Sequence, residues 1–289
     1  MSQDKFTATW VSHSSIGDFL RCPRAYYLKN VYKDPKTGHK IQVISPPLSL
    51  GQVAHNVLES LSGLSKDDRF KKPLSVMFEA EWQKMSGERG GFLNEDQEYQ
   101  YKKRGLAMMT NVYNNPGPLK RLAVKIKQDL PYYWLAEEEN IILCGKLDWL
   151  EYFPEDDSVY IIDFKTGKSK ESEDSLQLPI YNLLATHCQE RRVAGASYWY
   201  IENDKIPQEK VLPDLAKSEE RVLEIAKKIK LARQLKKFDC PAGDDGCPAC
   251  RDLERVINGE GKLVGQDDHY RDVYILSDKN EIENQSEIL

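Results

Sequence analysis

The sequence predicts an α/β protein, and three observations carry that expectation. Ile141–Phe153 and Val159–Phe164 are apolar, aromatic-rich strand candidates around the turn formers Pro154-Glu155-Asp156-Asp157-Ser158. Upstream, Leu50, Val53, Ala54, Val57, Leu58 and Leu61 repeat at the spacing of an amphipathic helix. Downstream, the β-rich run Val193–Ile201 lies between two helical stretches, Leu176–Gln189 and Ser218–Phe238.

The 289 residues are 40% hydrophobic and 30% charged, enough for a sizeable core in one large or two modest domains. No apolar run approaches the ~18 residues of a membrane span. The opening MSQDKFTATW lacks the basic-then-apolar pattern of a secretory leader, so a cytoplasmic protein without a membrane partner is expected. A net charge of −5 excludes a globally basic nucleic-acid binder and leaves only local basic faces.

Taken in order, Ser14-Ser15-Ile16-Gly17-Asp18 reads as a helix start, with Ser15 and Asp18 at capping-box spacing. Pro23 ends that helix and opens the next, leaving Cys22 at the joint. Residues 33–47 read as a loop. In the Leu50–Leu61 helix, Gln52, His55 and Glu59 line an edge beside the apolar stripe. A lone histidine there reads first as structural. Residues 66–115 are charged and helical, with helices at Leu74–Met85 and Tyr99–Tyr113, and read as an insertion. Leu122–Trp134 supplies a further strand. Gln177 and Tyr181 share a helix face, and Lys210–Leu212 reads as a short strand. The second half of Ser218–Phe238 is crowded with lysines, partly explained by the helix C-terminus. One domain over 1–276 and a disordered tail over 277–289 are expected.

The chemistry concentrates in the hairpin. A turn centred near Asp156 puts Asp148 almost opposite Asp163, and strand alternation puts Lys165 on the same face as Asp163. Two carboxylates and an ammonium in an apolar setting are costly unless something compensates them. A divalent cation would do so, and a water between it and Lys165 would be a nucleophile. The Asp-x-Lys triplet alone reads first as a strand-end salt bridge, and the rest of the chain has to change that.

Three of six cysteines, Cys240, Cys247 and Cys250, fall within eleven residues rich in Pro and Gly, the pattern of a loop folded round a metal. Cys22 is the natural fourth ligand, because Cys144 and Cys188 lie in apolar segments where a free thiol packs well. Zinc and iron–sulfur both need such a set.

These motifs, in this order, resemble the RecB-like nucleases of the PD-(D/E)XK superfamily, which include the AddB nuclease domain and the RecB-like nucleases of CRISPR systems. The resemblance runs from Ser14 to Cys250, least over 66–115. It rests on SSIGDFLRCPRAYYL, GQVAHNVLE, GKLD, DFKTGK, QLPIY and the cysteine set. It implies a restriction-endonuclease-like central mixed β-sheet flanked by helices, with a helical insertion and a C-terminal cysteine cluster. It implies Mg²⁺ or Mn²⁺ held by His55, Asp148, Asp163 and the Phe164 carbonyl, with Lys165 as catalytic lysine and Gln177 and Tyr181 beside it. It implies a 4Fe–4S cluster on Cys22, Cys240, Cys247 and Cys250, closing the 240–250 loop onto Cys22, with structural Zn²⁺ as the alternative. The function it implies is a DNA exonuclease of repair, recombination or CRISPR adaptation, acting on single strands or duplex ends, with nuclease/helicase or CRISPR proteins as partners. One departure stands out: where many relatives carry a glutamate, this chain has Lys125, Lys127 and Gln128.

Two other classes compete. A non-catalytic DNA-binding scaffold would have no need of the Asp148, Asp163 and Lys165 charges. A P-loop, suggested by Thr166-Gly167-Lys168-Ser169, fails because Ile162 stands where glycine is required.

Overall fold

The computed structural model describes residues 4–277, so the expected disordered tail lies, apart from Ser277, outside the described residues. The strands are β1 (Thr9–Val11), β2 (Ile41–Val43), β3 (Ala123–Val124), β4 (Tyr132–Ala136), β5 (Ile141–Cys144), β6 (Trp149–Phe153), β7 (Ser158–Lys165), β8 (Arg192–Tyr200), β9 (Gln208–Lys210), β10 (Lys262–Gln266) and β11 (Asp272–Ile275). The helices are α1 (His13–Arg21), α2 (Pro23–Tyr26), α3 (Pro46–Ser60), α4 (Leu74–Trp82), α5 (Glu95–Asn114), α6 (Gln177–His187), α7 (Leu215–Leu235) and α8 (Arg251–Ile257). These residues form two compact units, one of residues 4–17, 51–81 and 103–237, the other of 18–50, 82–102 and 238–277; the expected insertion contributes to both.

The first unit holds a five-stranded mixed sheet in the order β3-β6-β7-β8-β9 and a three-stranded sheet in the order β1-β5-β4. β7 pairs antiparallel with β6 and parallel with β8. A parallel neighbour demands a crossover, and α6 supplies it. Leu178 and Ala185 of α6 pack on Leu150, Ile161 and Ala196 of the sheet. α7 packs on α6 and on β1, β4 and β5. With both faces covered, β7 is buried along nearly its whole length, and its run of Val, Ile and Phe follows from that.

The hairpin register is the one expected. Trp149 pairs with Ile162 and Phe153 with Ser158, so extending the register by one step sets Asp148 against Asp163. Asp157 closes the turn with φ 48°, a left-handed conformation that aspartate tolerates.

Several expectations need correction: residues 33–47 hold β2 and the start of α3, and the short strand near Lys210 is β9, ending at that residue. Ile141–Phe153 is not one strand: β5 belongs to the three-stranded sheet and β6 to the five-stranded one, and Gly145–Asp148 carries the chain between them. Gly145 lies so close to α6 that a Cβ there would sit 3.0 Å from Leu184 Cδ1. Leu122–Trp134 is likewise divided into β3 and β4 by a polar stretch ending at Pro131. The helix start belongs to Ser12 and Ser15, whose hydroxyls each accept the other's backbone N–H at 3.2 and 2.8 Å. Asp18 instead pairs with Lys29 at 2.8 Å.

In the second unit, β11 pairs antiparallel with β10 and parallel with β2. Cys22, Ala25, Leu28, Ile41, Leu253 and Val256 form its core together with Cys240 and Cys250. Arg24 fastens α2 to the cysteine loop, donating to Glu254 at 3.0 Å and to the Asp244 carbonyl at 3.1 Å.

Candidate active site

The first unit brings the expected acidic and basic residues together in two adjoining groups. In one, His55 of α3 places Nδ1 3.4 Å from Asp148 Oδ2 and 3.5 Å from Glu59 Oε1. The ligand atoms of His55, Glu59 and Asp148 lie within 4.8 Å of one another. Asp148 Oδ2 also accepts the Phe164 N–H at 2.8 Å, which ties the carboxylate to β7. Glu59 is one helical turn beyond His55 and shares its face.

In the other group, Asp163 Oδ2 lies 3.0 Å from Lys165 Nζ. Gln177 Nε2 donates to Asp163 Oδ1 at 2.7 Å, and Gln177 Oε1 accepts from Lys165 Nζ. The Gln177 amide is therefore oriented by an acceptor on one side and a donor on the other. Its Nε2 also reaches Tyr181 Oη at 3.3 Å. Lys165 Nζ donates to Glu171 at 2.9 Å and sits 4.7 Å from the centre of the Tyr198 ring.

Electrostatics couple the groups. Burial, reinforced by the Asp148 charge, raises Asp163 to about 7 despite the opposing pull of Lys165 and His55. Burial works against the His55 cation, but Asp148 and Glu59 outweigh it and lift His55 well above its ordinary value. Burial also works against the Lys165 charge, and Asp163 and Glu171 again reverse the sign, so Lys165 remains an ammonium at neutral pH. Burial and the two aspartates hold Tyr181 as a neutral phenol.

The donor set suits a divalent cation. Two carboxylates and an imidazole meet at one point, and Asp163 Oδ2 is buried with no hydrogen bond beyond its ion-pair contact. A hard cation accepts such oxygen-rich sets. The described residues bring His55 and Asp148 together as expected and add Glu59. Asp163 lies outside that tight set and is held by Lys165 and Gln177.

Glu59 had a sequence signal in its spacing from His55, although no role was read from it. Glu171 had none, being one acid in a polar connector. Arg104 had none either; its guanidinium donates to the Thr166 carbonyl at 2.7 Å and pairs with Glu202, which fixes the turn after Lys165.

Beside the carboxylates opens a cleft of about 250 Å³ whose lining includes Glu59, Asp148, Lys125, Lys127, Gln128 and Lys146. The lysines that replace the expected glutamate thus face the same cleft as two metal-ligand candidates.

In the second unit, Cys22, Cys240, Cys247 and Cys250 converge, with all four sulfurs within 4.8 Å of one another. Gly246, at φ 70°, lets the loop pass where a Cβ would meet Glu254 at 2.5 Å and the Cys250 sulfur at 3.2 Å. Among the described residues, no helix is long and apolar enough to cross a membrane.

Two acids and a lysine at the β6–β7 hairpin, with a histidine on α3 beside them, make a group suited to metal-dependent phosphodiester hydrolysis. A sequence model of the PD-(D/E)XK nuclease superfamily matches residues 10–252, and the chain belongs to that superfamily, whose nucleases use divalent metals. No curated protein matches the chain.

Proposed function

We propose that the protein is a RecB-like deoxyribonuclease, an exonuclease hydrolysing DNA phosphodiester bonds in repair, recombination or CRISPR adaptation. The observation that carries this reading is the placement of Asp148, one residue before β6 and bonded to the Phe164 N–H of β7, next to the β7 acid Asp163, with His55 beside Asp148 and Lys165 beside Asp163. His55, Glu59, Asp148, Asp163 and the Phe164 carbonyl would hold Mg²⁺ or Mn²⁺. The bound ion supplies Lewis acidity, drawing charge from the scissile phosphate and acidifying a water.

The chain's own groups do the rest. Hydrolysis joins the water oxygen to phosphorus and breaks one phosphorus–ester bond, and the proton lost by the water balances the one gained by the leaving alkoxide. Negative charge grows on the phosphoryl oxygens, and the Lys165 ammonium faces it. Held by Asp163, Glu171 and Gln177, Lys165 orients the attacking water or stabilises the phosphoryl charge. Gln177, bridging Lys165 and Asp163, keeps the ammonium in register, and Tyr181 steadies Gln177. The lysine-lined cleft receives the sugar–phosphate backbone.

The test is cleavage of end-labelled DNA with Mg²⁺ or Mn²⁺. Asp163→Ala and Lys165→Ala each abolish cleavage while the circular dichroism spectrum and melting transition remain those of a folded protein. Undiminished cleavage by both variants refutes the assignment. Binding without cleavage by the wild-type chain identifies a scaffold.

A further inference from the structure

The resemblance implies an iron–sulfur cluster on the four cysteines, and the geometry of the thiols tests that implication. Cys250 Sγ lies 3.8 Å from Cys240 Sγ and 3.9 Å from Cys247 Sγ. All four sulfurs, Cys22 included, fall within 4.8 Å of one another. A single zinc ion with bonds of about 2.3 Å sets its four sulfurs at the corners of a tetrahedron with edges of about 3.8 Å. A four-iron cluster places a cube of iron and sulfide between the thiolates and separates them well beyond such an edge.

We propose that Cys22, Cys240, Cys247 and Cys250 hold one tetrahedral zinc ion, and that this chain carries no iron–sulfur cluster. Three further features fit a closed structural site. The cysteines sit in the core of the second unit, with Cys22, Cys240 and Cys250 buried, so no position is left open to substrate. Backbone amides serve the sulfurs: Ala25 N–H points to Cys22 at 3.4 Å and Cys247 N–H to Cys250 at 3.2 Å, the support that steadies thiolate ligands. Cys247 and Cys250 stand at the C-x-x-C spacing of zinc knuckles, and Gly246 keeps the turn between Cys240 and Cys247 close against the Cys250 sulfur. Widening the four sulfurs to receive a cube would displace this packed loop.

The experiment needs no nuclease assay and so stands apart from the catalytic reading. The full chain is purified anaerobically from cells supplied with iron and cysteine, and a portion is then treated with ferrous iron and sulfide under reducing conditions. Metal analysis is expected to give one zinc per chain, no acid-labile sulfide and no broad absorption near the visible edge, before and after treatment. Exchange with Co²⁺ gives the visible bands of a tetrahedral tetrathiolate centre. Cys22→Ser loses the stoichiometric zinc, whereas Cys188→Ser, whose thiol lies outside the set, keeps it. Should Cys22→Ser fail to fold, the wild-type stoichiometry and cobalt spectrum decide alone. Four irons with matching sulfide, or a chain with no bound metal, overturn the proposal.

Discussion

At His55 the physical problem is one of charge. An imidazole set between the Asp148 and Glu59 carboxylates holds its proton more tightly than usual, and on the proposed reading a divalent cation takes that proton's place between the two acids. Glu59 is therefore expected to matter for the metal more than for the fold. Glu59→Gln keeps the shape of the side chain and removes one anionic donor. Its expected outcome is a loss of roughly 10–100-fold in Mn²⁺ affinity, comparable with other losses of metal-site support. Isothermal titration measures this, and unchanged affinity removes Glu59 from the ligand set. Asp163 and Lys165 were legible because strand alternation fixes which side chains share a face. Glu59 was half legible, since helical spacing shows the shared face but not what stands opposite. Glu171 and Arg104 were opaque, because their partners come from turns and helices that the primary structure does not align.

At the level of elements, the hairpin was readable and the exchange between sheets was not. The turn cluster and the two apolar flanks specify a register, and a one-residue slip would turn Asp163 away from its partners. Nothing in an apolar run announces that its first half pairs with β4 and its second with β7. Gly145 marks the join only once Leu184 is seen against it. A similar long-range device is Arg69, buried and donating to the carbonyls of Leu61, Leu119 and Arg121 while its guanidinium lies 4.8 Å from the Trp149 ring centre. It steadies the approach to β6, and no local pattern forecasts it. Next to β6, the segment after β3 presents Lys125 and Lys127 to the cleft that Lys146 and Asp148 also line. Neutralising DNA phosphates adds affinity through counterion release. The Lys125→Glu, Lys127→Glu, Lys146→Glu variant is expected to bind single-stranded DNA more weakly at every sequence. The dependence of log affinity on log salt becomes shallower by about 0.7 for each phosphate that is no longer neutralised. Fluorescence anisotropy across a salt series measures both, and an unchanged slope means that the backbone runs elsewhere.

For the whole molecule, the two candidate ligand sets differ in chemistry and belong to different compact units, oxygen-rich in one and sulfur-rich in the other. The cysteine loop was legible from spacing, and its fourth ligand from where the remaining cysteines fall. The sheet beside it was not. β2 has three residues within what reads as a loop, β10 is largely exposed, and β11, though mostly buried, is only four residues long, so none shows clear periodicity. Such strands depend on what they pack against. Here Ile41 of β2 shares a core with Cys22, Cys240 and Cys250. Structural zinc contributes on the order of 10 kcal/mol of binding free energy to small sites, and that binding is folding free energy. Withholding Mg²⁺ should therefore stop cleavage and leave amide exchange in β2, β11 and α8 unchanged. Stripping the thiolate-bound ion with a high-affinity chelator should accelerate exchange in those three elements by orders of magnitude. Hydrogen-exchange mass spectrometry on the full chain separates the two cases. Protection that survives removal of the thiolate-bound ion would mean that the apolar contacts of the second unit hold its strands without a metal.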